Sequence, residues 1–197
     1  CAHFGKTPPC ADLIIQKKIP KVVIGCRDSF AQVNGKGIEK LITAGIEVIA
    51  PVLESNAIAL NKRFFTFHQQ KRPYIILKWA QTANCKIARN DDTRLLISNE
   101  FTNRLVHKWR SEEAAILVGT NTAVKDNPSL TARLWPGNNP LRLVVDMDLK
   151  LSTDLHLFNG PVKTIVFNTI QQQERENILY LKIAKAQSII PQMMKIL

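Results

Sequence analysis

Ala115-Ile-Leu-Val-Gly-Thr-Asn-Thr-Ala-Val-Lys-Asp-Asn-Pro-Ser-Leu-Thr-Ala-Arg133 is the stretch on which the reading of the fold turns. Ala114 to Val118 is a short, unbroken apolar run, the pattern of a strand covered on both faces. Gly119-Thr-Asn-Thr122 then leads into a helix start, and Asp126-Asn-Pro128 is a turn. Downstream, Leu141 to Asp146 and Thr164 to Asn168 repeat the short apolar pattern, as expected of parallel strands. Upstream, Ser98-Asn-Glu-Phe opens a helix running to about Arg110, with Ser98 or Asn99 as its N-cap. Asn90-Asp-Asp92 reads as a turn and Pro73 to Ala80 as a further strand. Ahead of the polar segment Gln69-Gln-Lys-Arg-Pro73 lies a second alternation. Lys21 to Cys26 is a strand, and Gly37 to Ala44 a helix ended by Gly45. Ile46 to Ala50 is a strand stopped by Pro51, and Leu53 to about His68 a single helix. The chain therefore reads as α/β twice over, with domains at 1–70 and 73–197.

The 197 residues are 45% hydrophobic and 22% charged, with 8 Gly and 10 Pro, which excludes collagenous, low-complexity and disordered classes. No apolar run approaches the roughly 18 to 20 residues of a membrane span, so no membrane association is expected. The net charge of +11 is spread over both domains in pairs such as Lys17-Lys18, Lys62-Arg63 and Lys71-Arg72. That distribution lacks the aromatic interleaving of a single-strand platform and reads as a solvated basic surface able to attract phosphorylated small molecules. Four cysteines in a chain of this length do not make a disulfide framework, so the expected setting is reducing and cytoplasmic. A chain opening on Cys rather than Met, and closing on the apolar Pro191-Gln-Met-Met-Lys-Ile-Leu197, is expected to be a central piece of something longer.

Cys1-Ala-His-Phe-Gly-Lys-Thr-Pro-Pro-Cys10 sets two thiols around a rigid Pro-Pro turn, with Pro9 able to start a helix. Two thiolates suit zinc but complete neither a structural nor a catalytic site, and two buried thiols fit the spacing as well. The run resembles the second half of the zinc signature of the bifunctional riboflavin-biosynthesis deaminase/reductase family. Gly25-Cys-Arg-Asp28 with Val33-Asn-Gly-Lys-Gly37 is similar to that family's deaminase substrate loop, with Ser29 and Phe30 standing where a Pro and often an Asn are usual. The resemblance implies Cys1 and Cys10 as zinc ligands, and His3, Lys6 and Asp28 facing a phosphoribosylamino-pyrimidine. The family's His-Ala-Glu segment, carrying the third ligand and the proton shuttle, does not occur in these residues. Deamination by this chain alone is therefore not expected.

The resemblance extends to the end of the chain. Lys78-Trp-Ala-Gln-Thr-Ala-Asn-Cys-Lys-Ile-Ala88 looks like the first strand and loop of the family's reductase domain, which has a dihydrofolate-reductase-like fold. Asn84-Cys85 stands where the family has Asp-Gly. The stretch from Ala115 to Arg133 is similar to that domain's most recognisable motif. The implied fold is a partial cytidine-deaminase-like domain followed by a partial dihydrofolate-reductase-like domain. Ala80, Leu96, Thr122 and Asp126 are implied to contact NADPH, and Lys78, Arg94, Arg110, Leu130 and Arg133 the substrate. Leu96 replaces a usual Trp, and Arg94 a frequent Ser. The residue types suit these roles: a strand-to-helix turn with free N–H groups and hydroxyls takes a phosphate or ribose, and guanidinium groups grip a sugar phosphate. Taken alone, Arg110 is also the cationic end of a helix, Thr122 an N-cap and Asp126 a turn former. Asp146, at the end of a core strand, could equally approach the cofactor.

The activity implied for the parent protein is zinc-dependent hydrolytic deamination, then NADPH-dependent reduction of the ribosyl group to ribityl. Alignment of nicotinamide and sugar carbon carries the reductase step. Two other readings are a nucleic-acid base deaminase fragment, which the cysteine spacing opposes, and a basic binding module without catalysis. A sheet cut short would leave Ala114 to Val118 and Leu141 to Asp146 with an open edge, where a second copy could pair to form a homodimer.

Overall fold

The computed structural model describes residues 2–30, 33–89, 93 and 95–197. Cys1, Arg94 and the Asn90-Asp-Asp92 segment therefore lie outside the described residues. The chain divides into two compact units, one ending at Ile76 and one running from Leu77 to Ile196.

In the first unit, α1 (Cys10–Gln16) begins behind the extended Pro9, as proline at a helix start favours. β1 (Lys21–Val23) and β2 (Glu47–Ile49) pair in parallel, crossed over by α2 (Lys36–Thr43). Helix α2 ends at Gly45, whose φ of 79° is the left-handed conformation a side chain resists. There the Gly45 N–H donates to the Ile42 carbonyl and the Ile46 N–H to that of Leu41, closing the helix end. This turn aims Ile46 inward, where it packs with Ala11 and Leu41 against Ile14, Val22 and Val48. The single helix expected from Leu53 to His68 is two: α3 (Glu54–Leu60) and α4 (Lys62–Gln70). Asn61 breaks it, its side-chain amide donating to the Ala57 carbonyl and so competing with the helical ladder.

The second unit is built on a five-stranded mixed sheet. Its strands are β3 (Ala115–Gly119), β4 (Leu141–Val145), β5 (Thr164–Asn168), β6 (Gln173–Arg175) and β7 (Ile178–Lys182), in the order β3-β4-β5-β7-β6. The three strands read from sequence pair in parallel, as does β7 against β5, while β6 turns back antiparallel along β7. β4 lies between β3 and β5, so of the two strands expected at an open edge only β3 is at one. Residues alternate across the sheet. Val144 and Val166 join Ala123, Leu151 and Leu157 on one face, and Leu143, Ile165 and Phe167 join Ile183 and Met193 on the other. Helix α5 (Glu100–Glu112) precedes β3, and α6 (Thr120–Asp126) follows it directly. Asn99 is the N-cap of α5, its Oδ1 accepting from the Thr102 N–H at 2.9 Å. α7 (Ile189–Ile196) places Met193 against the sheet.

Pro73 to Ala80, expected as a strand, forms none. Ile75, Ile76, Leu77 and Trp79 are all exposed, so the apolar run finds no sheet to join. Just beyond it, residues 82–86 form a tight turn in which the Thr82 N–H donates to the Lys86 carbonyl and the Cys85 N–H to that of Thr82. Cys85 has φ 61° there. A side chain in this conformation costs about 1 to 2 kcal/mol that glycine avoids, partly offset by the extra chain entropy glycine loses on folding. Cys85→Gly is expected to stabilise the second unit by about 0.5 to 1 kcal/mol, read as a raised urea midpoint with unchanged slope.

Candidate functional site

Arg110 and His107 lie one turn apart on α5 and so share a face. Both point to the loop that follows α6. The Arg110 Nη1 donates to the Thr131 carbonyl at 3.1 Å, and His107 Nδ1 accepts from the Leu134 N–H at 3.3 Å. Asn139 Oδ1 accepts from the Ala132 N–H at 2.8 Å, and Arg133 reaches the Thr131 hydroxyl at 3.5 Å. The loop also carries Leu130, buried although its φ of 53° is unfavourable for leucine. Arg110, Leu130 and Arg133 are thus brought together.

The electrostatics of this cluster are one-sided. No ion pair is made by Arg110 or Arg133 among the described residues. The Nε of Arg110 is buried without a hydrogen-bond partner. Burial, and then the charge of Arg133, draw the Arg110 guanidinium below its usual range. The same causes act on His107, which is 5% exposed: desolvation first, then Arg110 and Arg133, lower its pKa and favour the neutral ring. Two guanidiniums around one threonine, with no ion pair to either among the described residues, are the chemistry that suits an anion.

The second group of expected residues stands on α6. Thr122 and Asp126 are exposed on this helix, beyond the carboxyl end of β3, the side on which open α/β sheets take ligands. The Thr120 hydroxyl donates to the Val145 carbonyl at 2.6 Å and ties the helix start to the end of β4. Thr122 is not the N-cap of α6, a position held by Gly119. Asp146 is buried, and its two carboxylate oxygens accept from the Lys150 and Leu151 N–H groups and close the turn after β4. Lys78, Ala80 and Leu96 stand on irregular segments, Leu96 76% exposed, and no hydrogen bond or ion pair among the described residues links them to either group.

In the first unit, His3 and Lys6 are exposed and Asp28 half-buried, its Oδ1 accepting from the Phe30 N–H at 2.8 Å. Phe30 meets the rings of His3 and His68, with centroids 6.4 and 4.8 Å away. Arg27 and Asp28 line a cavity of about 240 Å³ together with Cys26, Ile24 and Gly35. Cys10 is exposed, and no group of three or more His, Cys, Asp or Glu is placed to hold a metal ion among the described residues. The described donor set therefore does not fit a zinc site, which needs three or four ligands.

Comparison with known proteins accounts for the second unit. Residues 73–197 match the family described as RibD C-terminal domain. The chain belongs to this family. It is 41% identical over 180 residues to the riboflavin biosynthesis protein RibD of Aquifex aeolicus, covering 90% of this chain and 51% of that protein. RibD of Synechocystis is 35% identical over 190 residues, covering 96% of this chain and 52% of that protein. Among crystal structures, a diaminohydroxyphosphoribosylaminopyrimidine deaminase/5-amino-6-(5-phosphoribosylamino)uracil reductase from Thermotoga maritima superposes with a TM-score of 0.87 at 36% identity. That match covers 99% of this chain and 55% of the other. Acinetobacter baumannii RibD gives a TM-score of 0.86 at 26% identity, over 100% of this chain and 56% of its own. The chain spans about half the length of the curated RibD relatives it matches.

The sequence reading missed Thr131 and Asn139, whose roles are hydrogen bonds across the loop that no local pattern displays. His107 belongs to no motif, although its three-residue step to Arg110 places both on one helix face. Neutral, buried His107 has a consequence for stability. Its pKa is lowered from 6.5 in the folded chain, so below that value the unfolded state binds more protons. The second unit's unfolding free energy should be level above about pH 7.5 and fall as pH drops through about 6.5. His107→Phe should flatten that slope in urea melts taken across the range.

Proposed function

We propose that this chain carries the reductase step of riboflavin biosynthesis, reducing the ribosyl group of a phosphorylated aminopyrimidine with NADPH as hydride donor. The observation that carries this reading is the unpaired Arg110–Thr131–Arg133 cluster inside a RibD C-terminal domain. A sugar phosphate supplies the missing negative charge. Arg110, with one Nη donor already fixing the loop, contributes its charge, and Arg133 adds an exposed second guanidinium.

Thr122 and Asp126 fit a dinucleotide by their chemistry, an exposed hydroxyl and an exposed carboxylate able to bind ribose hydroxyls from one helix face. Ala80 and Leu96 would add apolar contact, and Lys78 a further charge toward the substrate. When bound, NADPH supplies the hydride. The protein's part is to hold the two ligands in register and to neutralise the phosphate. Arg94 completes the proposed substrate set.

The first unit we assign to the deaminase half of the parent, with His3, Lys6 and Asp28 toward the pyrimidine and Cys1 and Cys10 toward zinc. No step is derived through zinc, because the described residues do not make up its site. The similarity to RibD proteins extends over 90% or more of the chain and supports this assignment.

In the full-length protein, Arg110→Ala and Arg133→Ala should each raise KM for 5-amino-6-(5-phosphoribosylamino)uracil by about 10- to 100-fold, the worth of a charge-assisted hydrogen bond. Asp126→Asn should weaken NADPH instead. Fluorescence titration should show NADPH bound in preference to NADH. Equal affinity for the two, or substrate kinetics indifferent to both arginines, would overturn the proposal.

A further inference from the structure

We propose that His107 is a positioning residue for the anion site: its neutral ring holds the Leu130 to Leu134 loop in the conformation that presents Arg133, and proton uptake by the ring releases it. This rests on the reductase reading above and assigns that site a pH-dependent support. A backbone N–H can only donate, so the 3.3 Å bond from Leu134 requires Nδ1 to be unprotonated and the ring proton to sit on Nε2. The loop is held at three points, by Arg110 at Thr131, by Asn139 at Ala132 and by His107 at Leu134. Leu130 at φ 53° is unfavourable for a branched side chain, so the loop keeps its shape only while its anchors hold.

Protonation removes the third anchor, since Nδ1 then becomes a donor facing a donor. It also places a third positive charge beside Arg110 from the same helix and Arg133 from the loop. The neighbouring Lys108 ammonium is directed over the Trp135 ring, 5.5 Å from its centroid. Lys108 also pairs with Glu112 at 3.9 Å, and among the described residues no ion pair reaches His107, Arg110 or Arg133. The protonated ring is therefore both unbonded and repelled.

The test uses sulfate as probe, because its charge is constant across the range in which histidine titrates, whereas a phosphate ester's is not. Sulfate affinity of the full chain is measured by calorimetry from about pH 8 to 5.5. Wild type is expected to lose about tenfold in affinity on acidification, the effect of one lost anchor. His107→Asn should bind as wild type does at neutral pH and stay flat, because its Oδ1 accepts from Leu134 without titrating. His107→Phe should bind weakly throughout, with circular dichroism confirming that both variants fold. Affinity that rises on acidification in wild type and not in His107→Asn would make His107 a cationic ligand and overturn the proposal. A His107→Asn profile identical to wild type would overturn it too. Arg110→Ala and Arg133→Ala separate the two levels: if they leave sulfate binding intact, the anion site itself has failed. If they abolish it while the His107 variants track wild type, only the positioning role has.

Discussion

The buried guanidinium of Arg142 ties β4 to the whole segment that leads on to β5. It is 2% exposed on β4, between β3 and β5, and makes no ion pair among the described residues. Its two Nη groups donate instead to the carbonyls of His156, Asn159 and Val162, on the segment that crosses from β4 to β5. The Nε stays unpaired, and burial pulls the guanidinium below its usual range. Such an arrangement costs desolvation, but an apolar residue there would take a donor away from three carbonyls, of which only that of His156 also accepts from another backbone group among the described residues, the Asn159 N–H. The consequence reaches the proposed cofactor helix. The fixed His156 N–H donates to Asn127 Oδ1 at 2.7 Å, and its ring meets the Asn127 carbonyl at 3.0 Å. Asn127, left-handed at φ 40°, ends α6 immediately after Asp126.

The anion cluster follows the opposite logic. There Arg110 and Arg133 gather at the loop without an ion pair among the described residues, and the backbone of Leu130 is held in an unfavourable conformation. Binding sites tolerate such features because the ligand supplies what the protein leaves open, and the surrounding anchors over-determine the loop. Both units of the site hang from the same sheet: α6 is tied to β4 by Thr120, and α5 runs directly into β3. Relative placement of the helices is therefore set by two adjacent parallel strands.

Much of this was legible in the residues. The strands β3, β4 and β5 announce themselves through short, mostly apolar runs, although β4 carries Arg142 and Leu117 of β3 is 48% exposed. Asn99 and Gly45 mark helix ends through local chemistry that acts within a few residues. The second helix break was not legible, since Asn61 sits inside a continuous apolar rhythm and its amide acts only once a turn exists. Nor was the β6-β7 hairpin: Gln173-Glu-Arg175 is polar because it is the sheet's edge, where strands are kept charged. Pro73 to Ala80 misled in the other direction, an apolar run with strand composition but no partner.

Sequence by itself determined the element types wherever periodicity or a cap operates locally, and the family through the motif between Ala115 and Arg133. Tertiary structure alone decided which of those elements pair, that Asp146 closes the turn after β4, and that His107, Arg110, Asn139 and Arg133 converge on one loop. The reason is range: a hydrogen bond from residue 134 to residue 107, or from 131 to 110, has no signature in either segment. It exists only because α5 and the loop after α6 are folded onto the same side of the chain's path through β3.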